Sequence, residues 1–435
     1  MTPLNSCQNL LNALRAGGHD KALAALYALD GAQDSLDRAR DRACRVVQSL
    51  MDAFSPAEDV PAALFSGPGR TEIGGNHTDH QHGRVLCGSV DMDMLACAVP
   101  NGKHIIRIQS EGYPALEVGL DELSIREEEK NTSAALVRGV AARVRELGFT
   151  LSGFDACVTS TVLSGSGLSS SAAYETLVGN IFNHFSCGDH LDPVTIARIG
   201  QYAENVYFGK PCGLMDQMGS SVGGAVFIDF ADPANPVVER VDYDFSQSGH
   251  VLCIVDTASS HGDLTDDYAD ITREMGAVAA RFGKKVLRDV SVTDFRAAIP
   301  ALRQKCGDRA VLRAMHFYDD DHRALLEAAA LKNGDFDFFL SLVNQSGLSS
   351  ALHLQNTWSV HDTRQQAIPL ALAEAERLLD GGACRVHGGG FAGTIQAWVP
   401  NGDLAQFKAG MEALLGEGKC HILHIRPQGG CVVAE

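Results

Sequence analysis

The chain has 435 residues, 45% of them hydrophobic, and a formal net charge of −18. That length exceeds one ordinary domain and can bury a sizeable core, so two closely joined domains with a cleft between them are expected. The acidic balance argues against a nucleic-acid groove, which needs clustered Lys and Arg, and leaves a local cationic or dipolar site as the way to hold an anionic small molecule.

Residues 1 to about 55 show helical spacing, with Leu10, Leu11 and Leu14 and then Leu23, Leu26 and Leu29 on recurrent faces, broken at Gly17-Gly18 and near Gly31. The segment reads as a helical preamble and not as a catalytic region. It lacks the basic start and apolar core of a signal peptide, and no window approaches eighteen consecutive apolar residues. The 12 cysteines form no C-x-x-C pair and no zinc-like Cys/His spacing, so they read as reduced thiols of a cytoplasmic protein with no membrane partner.

From Ala62 the texture changes to short strand-like runs and glycine-rich loops: AALFSGPG, RVLCGSVDMDMLACAV, HIIRIQS and FDACVTSTVL, with a helix expected in NTSAALVRGVAARVRELG. Helices follow in SSSAAYETLVGNIFNHF and PVTIARIGQYAENVYFG, strands in AVFIDF and HVLCIVDT, and a largely helical region from about 264 to 380. The chain closes with the loop HGGGFAGT, a strand (IQAWVP), a helix (DLAQFKAGMEALLG) and HILHIRP.

Two stretches carry chemistry. In LSGSGLSSSAAYETL, Gly165, Gly167, Leu168, Ser169, Ser170 and Ser171 lie between a strand and a helix. Small residues let backbone amides approach an anion, and a helix start adds unpaired N–H groups and a positive dipole end. A phosphate is the expected ligand; the plainer alternative is a serine-capped turn. A Walker A loop is absent, since GEGKC at 416–420 lacks its first glycine and final hydroxyl, and no dinucleotide-type G-x-G-x-x-G occurs in the required context. The second stretch, GRTEIGGNHTDHQHGRVL at 69–86, crowds charged and polar groups before an apolar run.

Taken in order, GPGRTEIGGNHTDHQHG, GSGLSSSA and HGGGFAGT resemble the three motifs of the GHMP kinases, and among them the galactokinases; the G-R-x-x-x-x-G-x-H-T-D skeleton of the first is the galactokinase-specific element. The resemblance runs from about residue 60 to the C-terminus. It implies an α+β, two-domain GHMP kinase fold with the active site in the interdomain cleft. A ribosomal protein S5 domain 2-like domain would span 61–225 and a ferredoxin-like domain 226–435, after a helical extension over 1–60. The implied reaction moves the γ-phosphoryl group of ATP to the anomeric hydroxyl of a sugar, with Mg2+ as cofactor and no obligatory protein partner.

By the same resemblance Asp216 takes the hydroxyl proton. Arg70 lies beside it, where its charge depresses a neighbouring pKa or stabilises the transferring group. Ser171 and Glu204 hold Mg2+, and Gly388, Gly389 and Gly390 support the loops. His77, Asp79, Gly213 and Tyr268 contact the sugar, as does Asn76, where galactokinases carry a glutamate near the C6 hydroxyl. That departure leaves galactose, a uronic acid and another galacto-configured sugar open. Against a C6 carboxylate, a glutamate at about 4 Å would cost on the order of 4 kcal/mol at an effective dielectric near 20, and His80, His82 and Arg84 are the groups expected to offset such a carboxylate. On this reading Asn76→Glu spares galactose turnover and suppresses uronate turnover. A second departure, SAALVRGV in place of an aromatic-bearing W-x-N-Y-V-x-G-V, leaves the adenine platform open. Two further readings are a non-catalytic sugar sensor and a mevalonate-type kinase; the intact serine motif argues against the first and H-T-D against the second.

Overall fold

The computed structural model describes residues 6–27, 29, 33–162, 167–259 and 264–435. The chain opens with α1 (Cys7–Arg15), α2 (Asp20–Leu26) and α3 (Gln33–Phe54), followed by β1 (Ala63–Gly74), β2 (Arg84–Pro100), β3 (Ile105–Ser110) and β4 (Leu116–Gly119). Next come α4 (Ser133–Glu146), β5 (Phe154–Ser160), α5 (Ser170–Cys187), α6 (Pro193–Tyr202), α7 (Met215–Val222), β6 (Ala225–Asp229), β7 (Val237–Val241) and β8 (His250–Asp256). The helices α8 (Thr265–Ala280), α9 (Val292–Cys306), α10 (Asp308–Lys332), α11 (Phe336–Ser349) and α12 (Ala367–Leu378) precede β9 (Ala383–His387), β10 (Thr394–Pro400), α13 (Leu404–Leu415), β11 (Cys420–Leu423) and β12 (Cys431–Ala434).

The strands form two sheets. The first runs β12-β1-β2-β5-β3-β4, with β6 and β7 continuing from the other half of the long β2. The second, β11-β8-β10-β9, is wholly antiparallel. This is the expected α+β class, and the order of the second sheet is that of a ferredoxin-like unit. A division of the chain at residue 225 would nevertheless cut off β6, β7 and β12 from the sheet they complete, because β2 is long enough to pair with β5 through Met94–Pro100 and with β6 through Arg84–Gly88.

Side-chain alternation along the strands settles what covers each face. On one side of the first sheet Phe65, Ala96, Ala98, Ala156 and Val158 pack beneath α4, α5 and α6, with Leu136, Val140, Leu177, Ile181 and Ile199 in the same core. Gly67 lets α5 lie directly on β1: a Cβ there would meet the Ala173 carbonyl oxygen at 2.3 Å. On the other side Leu64, Leu95, Cys97, Val99 and Cys157 are covered by Leu10, Leu14, Leu23, Val46, Val47 and Leu50 of α1–α3. The N-terminal helices are therefore the second cover of the sheet. A third core joins Ile73, Leu86 and Phe227 of the first sheet to Leu252, Ile254 and Trp398 of the second through α10 and α11, and so fixes the two sheets relative to each other.

Beneath the N-terminal helices lies a charged centre. Asp93 of β2 has no exposed surface, and its carboxylate accepts from Tyr27 Oη (3.1 Å), Arg42 Nη1 (2.5 Å), Ser66 Oγ and Arg426 Nη1 (3.5 Å). Arg42 also donates through Nη2 to the carbonyls of Asp93 and Thr159, bracing the middle of β2 against the end of β5. Removing the carboxylate would leave two arginines unanswered, which in buried pairs costs about 3–5 kcal/mol. Asp93→Ala is accordingly expected to lower the unfolding free energy measured in urea by that amount while Tyr27→Phe costs about 1 kcal/mol; equal, small losses in both would show that the cluster does not hold the helices down.

Candidate active site

β1 is interrupted by two register shifts against β2, between Pro68 and Arg70 and between Glu72 and Gly74. Such bulges twist a strand and re-aim its side chains. The first turns Arg70 toward α7, where Asp216 sits in the opening turn. Arg70 Nε donates to Asp216 Oδ1 at 2.7 Å, Nη2 lies 2.7 Å from the same oxygen, and Nη1 donates to the Gly167 carbonyl. Ser169 Oγ donates to Asp216 Oδ2 at 2.7 Å, so this serine, left-handed at φ 55°, spends its side chain on the carboxylate instead of capping α5. Burial disfavours both charges, yet the pairing prevails: Arg70 is raised, and Asp216 is held below its ordinary value by Arg70 and the Ser169 hydroxyl. Asp216 is thus an anion at neutral pH, with 29% of its side chain open to the cleft.

The phosphate-loop residues divide. Gly165 lies outside the described residues. Gly167 contributes its carbonyl to Arg70. Leu168 buries its side chain fully in the intersheet core, and its carbonyl receives the Arg70 backbone N–H at 3.1 Å. Ser170 and Ser171 open the 18-residue α5, where helix geometry leaves their N–H groups without intrahelical acceptors. Ser171 Oγ donates to Glu204 Oε1 at 3.0 Å. Glu204 stands on a widened π-type turn, Ala203–Phe208, of the kind often found at functional positions, and also accepts from Gln217 Nε2 (2.9 Å) and Lys210 Nζ (3.4 Å). Behind it Glu175 shares Gln217 (3.0 Å), its second oxygen is buried without a hydrogen-bond partner, and burial beside Glu204 lifts it well above the usual carboxylate range. Gln217, Lys210 and Glu175 were not singled out from the sequence; the i, i+4 spacing of Ser171 and Glu175 on one helix face was the available signal.

The residues expected to meet a sugar gather on the opposite wall. Asp79 presses against Gly213, where a Cβ would fall 2.2 Å from Oδ2, and its Oδ1 accepts the His80 N–H at 2.9 Å. His77, left-handed at φ 60°, faces the Gly389 carbonyl through Nε2 at 2.9 Å. Burial and the neighbouring His80 ring push His77 down to about 4, so the ring is neutral, the proton is on Nε2, and Nδ1 is an acceptor. Tyr268 Oη donates to the Gly390 carbonyl at 2.9 Å, with its ring edge-on to Phe391.

Two expectations are corrected. Asn76 has no exposed surface: its amide donates to Glu72 and the Gly388 carbonyl and accepts from Ser350 and Asn356, so it does not present itself to a sugar. Arg84 is equally committed, to Asp229 at 2.9 Å and Asp321 at 2.7 Å, with Arg288 closing the same network. The reading of a uronate site rested on Asn76, His80, His82 and Arg84, and it loses the first and the last of these.

Known proteins agree with this geometry. The family description "GHMP kinases N terminal domain" matches residues 135–224, and "Galactokinase galactose-binding signature" matches residues 52–100. A galactokinase of Streptomyces coelicolor is 30% identical over 342 residues, covering 77% of this chain and 84% of the relative. The chain belongs to the galactokinase family. Among solved structures, Lactococcus lactis galactokinase complexed with galactose shares the fold at a TM-score of 0.75 and 21% identity, covering 88% of this chain and 97% of its own. Methanococcus jannaschii mevalonate kinase shares it at 0.58 and 14%, covering 83% and 98%. This galactokinase-family chain is an ATP-dependent sugar kinase.

Two outcomes follow from the geometry. Arg70→Met removes the charge that depresses Asp216, so the acid limb of kcat/KM, below the ordinary carboxylate range in the parent, should move to higher pH; an unmoved limb would refute the pairing as its cause. Any stability due to this ionised pair is likewise present above the unfolded carboxylate pKa and lost as pH falls through the lower folded value. Gly213→Ala should displace Asp79 and raise KM for the sugar roughly tenfold to a hundredfold, with KM for ATP as the internal control.

Proposed function

We propose that the protein phosphorylates galactose at its anomeric hydroxyl, with ATP as donor and galactose 1-phosphate as product, in the cytoplasm. The observation that carries this reading is that Asp79, on the same loop as His77, packs against Gly213, three residues before the Asp216 that pairs with Arg70. Asp79 and His77 Nδ1 supply acceptors for neighbouring sugar hydroxyls, and an epimer would leave one of these groups unpaired at a cost of about 1–3 kcal/mol. Free thiols at all 12 cysteines suit a reducing compartment, and no helix among the described residues is long and apolar enough to cross a membrane.

In the reaction, the anomeric O–P bond forms as the bond from the γ-phosphorus to the bridging oxygen breaks, ADP departs, and the hydroxyl proton passes to Asp216. A carboxylate held below its ordinary pKa is a weak base. It therefore orients the hydroxyl and takes the proton once O–P bonding has made it acidic, which suits a loose phosphoryl-transfer transition state. Arg70, fixed by Asp216 and the Gly167 carbonyl, brings a permanent positive charge beside the transferring group. The amides opening α5 cradle phosphate oxygens.

Mg2+ fits the pair Ser171 and Glu204: a hydroxyl and a carboxylate already in contact, with the unpartnered oxygen of Glu175 behind them, suit a cation that takes few protein oxygens and completes its shell with phosphates and water. Bound there, it would neutralise phosphate charge.

Purified protein should consume ATP in the presence of galactose and not galacturonate, and Asp216→Asn should reduce kcat by at least about a hundredfold. Turnover on galacturonate alone, or an Asn variant as active as the parent, would overturn the assignment.

A further inference from the structure

Asn76 is the hub of a sealed network directly behind the sugar-facing loop. Its Nδ2 donates to Glu72 Oε1 (2.8 Å) and to the Gly388 carbonyl (2.8 Å). Its Oδ1 accepts from Asn356 Nδ2 (2.8 Å) and Ser350 Oγ (3.1 Å). The backbone is held as well, N–H to Asp320 Oδ2 at 2.7 Å and carbonyl to His316 Nε2 at 2.9 Å. Six contacts thus tie one residue to β1, the glycine loop, α10 and the turn after α11. The next residue is His77, and Asp79 follows two later.

Glu72 is the charged half of the hub. The oxygen that receives Asn76 also receives Arg385 Nη2 at 2.8 Å, and Arg385 in turn donates to the Ile73 carbonyl at 2.9 Å. Exposure is 0% for Asn76, 0% for Arg385 and 4% for Glu72, so one carboxylate, one amide and one guanidinium balance each other away from the surface.

We propose that Glu72 and Asn76 form a carboxylate–amide positioning pair that holds His77 and Asp79 in their sugar-binding geometry, so that residue 76 governs sugar affinity by setting the loop and not by touching the sugar. The proposal rests on the sugar-kinase reading above. A second carboxylate at position 76 would face Glu72 with Arg385 as their shared cation, and would strip the Gly388 carbonyl of its donor. Asn76→Glu is therefore not the mild change that the sequence suggested. Burial already pushes Glu72 up to about 7 against the pull of Arg385 and Arg70, which shows how little further negative charge the site can hold. The other titratable groups facing the pair are Asp79 on its loop, His316, Asp320, Arg323 and Glu327 on α10, and His387 on β9; Glu327 is buried with both oxygens unpartnered and lifted well above its ordinary value, His316 and His387 are held neutral, and Asp320 is answered by Arg323.

An isosteric exchange tests this. Asn76→Asp and Glu72→Gln should each raise KM for the sugar tenfold or more while KM for ATP moves less than twofold. The double variant Glu72→Gln/Asn76→Asp, which reverses the pair at constant shape and charge count, should recover at least threefold of the loss in KM for the sugar seen in Asn76→Asp, the remainder being the Gly388 carbonyl left without its donor. In Asn76→Asp alone, KM for the sugar should fall toward the parental value as pH drops from 8 to 5.5, because protonating one of the facing carboxylates restores a donor; general loss of folding would lower kcat and leave that pH trend absent. Single variants with parental KM, or a double variant whose loss is the product of the singles, would overturn the proposal. A parent without sugar-stimulated turnover would sink the kinase reading instead, and the hub would then stand or fall on the same exchange in thermal unfolding, where the double variant must be more stable than Asn76→Asp.

Discussion

The ion pair between Arg70 and Asp216 is the constraint around which the rest is arranged. Neither charge could stay in so buried a place alone, since an unanswered buried ion is far more costly than the pair. To meet, they require β1 to bulge at Pro68–Arg70, α7 to begin beside it, and the loop at 167–169 to lend a carbonyl and a hydroxyl. The same interaction that fixes the geometry also sets the electrostatics: it keeps Asp216 ionised and Arg70 charged, as the proposed phosphoryl transfer requires.

Around this pair lies a layer of buried, hydrogen-bonded polar groups. Gln396 donates to Thr71 Oγ1 at 2.7 Å and to the Glu72 carbonyl at 2.8 Å, and His387 lies between Thr71 and Thr394. Apolar packing around Trp398 would tolerate some sliding of one sheet over the other, whereas these directional bonds do not. The third glycine motif belongs to this layer: the carbonyls of Gly388, Gly389 and Gly390 receive Asn76, His77 and Tyr268. Its role is to offer acceptors at fixed places.

Much of the fold was legible because its elements are locally consistent. The strands β1, β2, β5, β6, β8 and β10 and the central helix α5 show plain hydrophobic patterns, and the breaks at Gly17-Gly18 fall between α1 and α2. The strands that escaped notice, β4, β7, β9 and β12, are short, and β9 also hides its alternation: Arg385 and His387 occupy inward positions where apolar residues would be expected, because both serve the polar layer. Leu168 shows the converse, an apolar residue inside a polar motif whose side chain belongs to the core.

The sequence by itself determined the family, and it singled out Arg70, Asp216 and the serine-rich helix start as candidates, because those depend on residue types at short, ordered spacings that each motif contains whole. Only the tertiary structure decided the fate of residues whose partners lie far along the chain. Asn76 is answered from Ser350, Asn356 and Gly388, Arg84 from Asp229 and Asp321, and Asp93 from Tyr27, Arg42 and Arg426. A polar side chain in a motif looks available until the fold shows which of its hydrogen bonds are already spent, and that depends on long-range packing that local spacing does not encode.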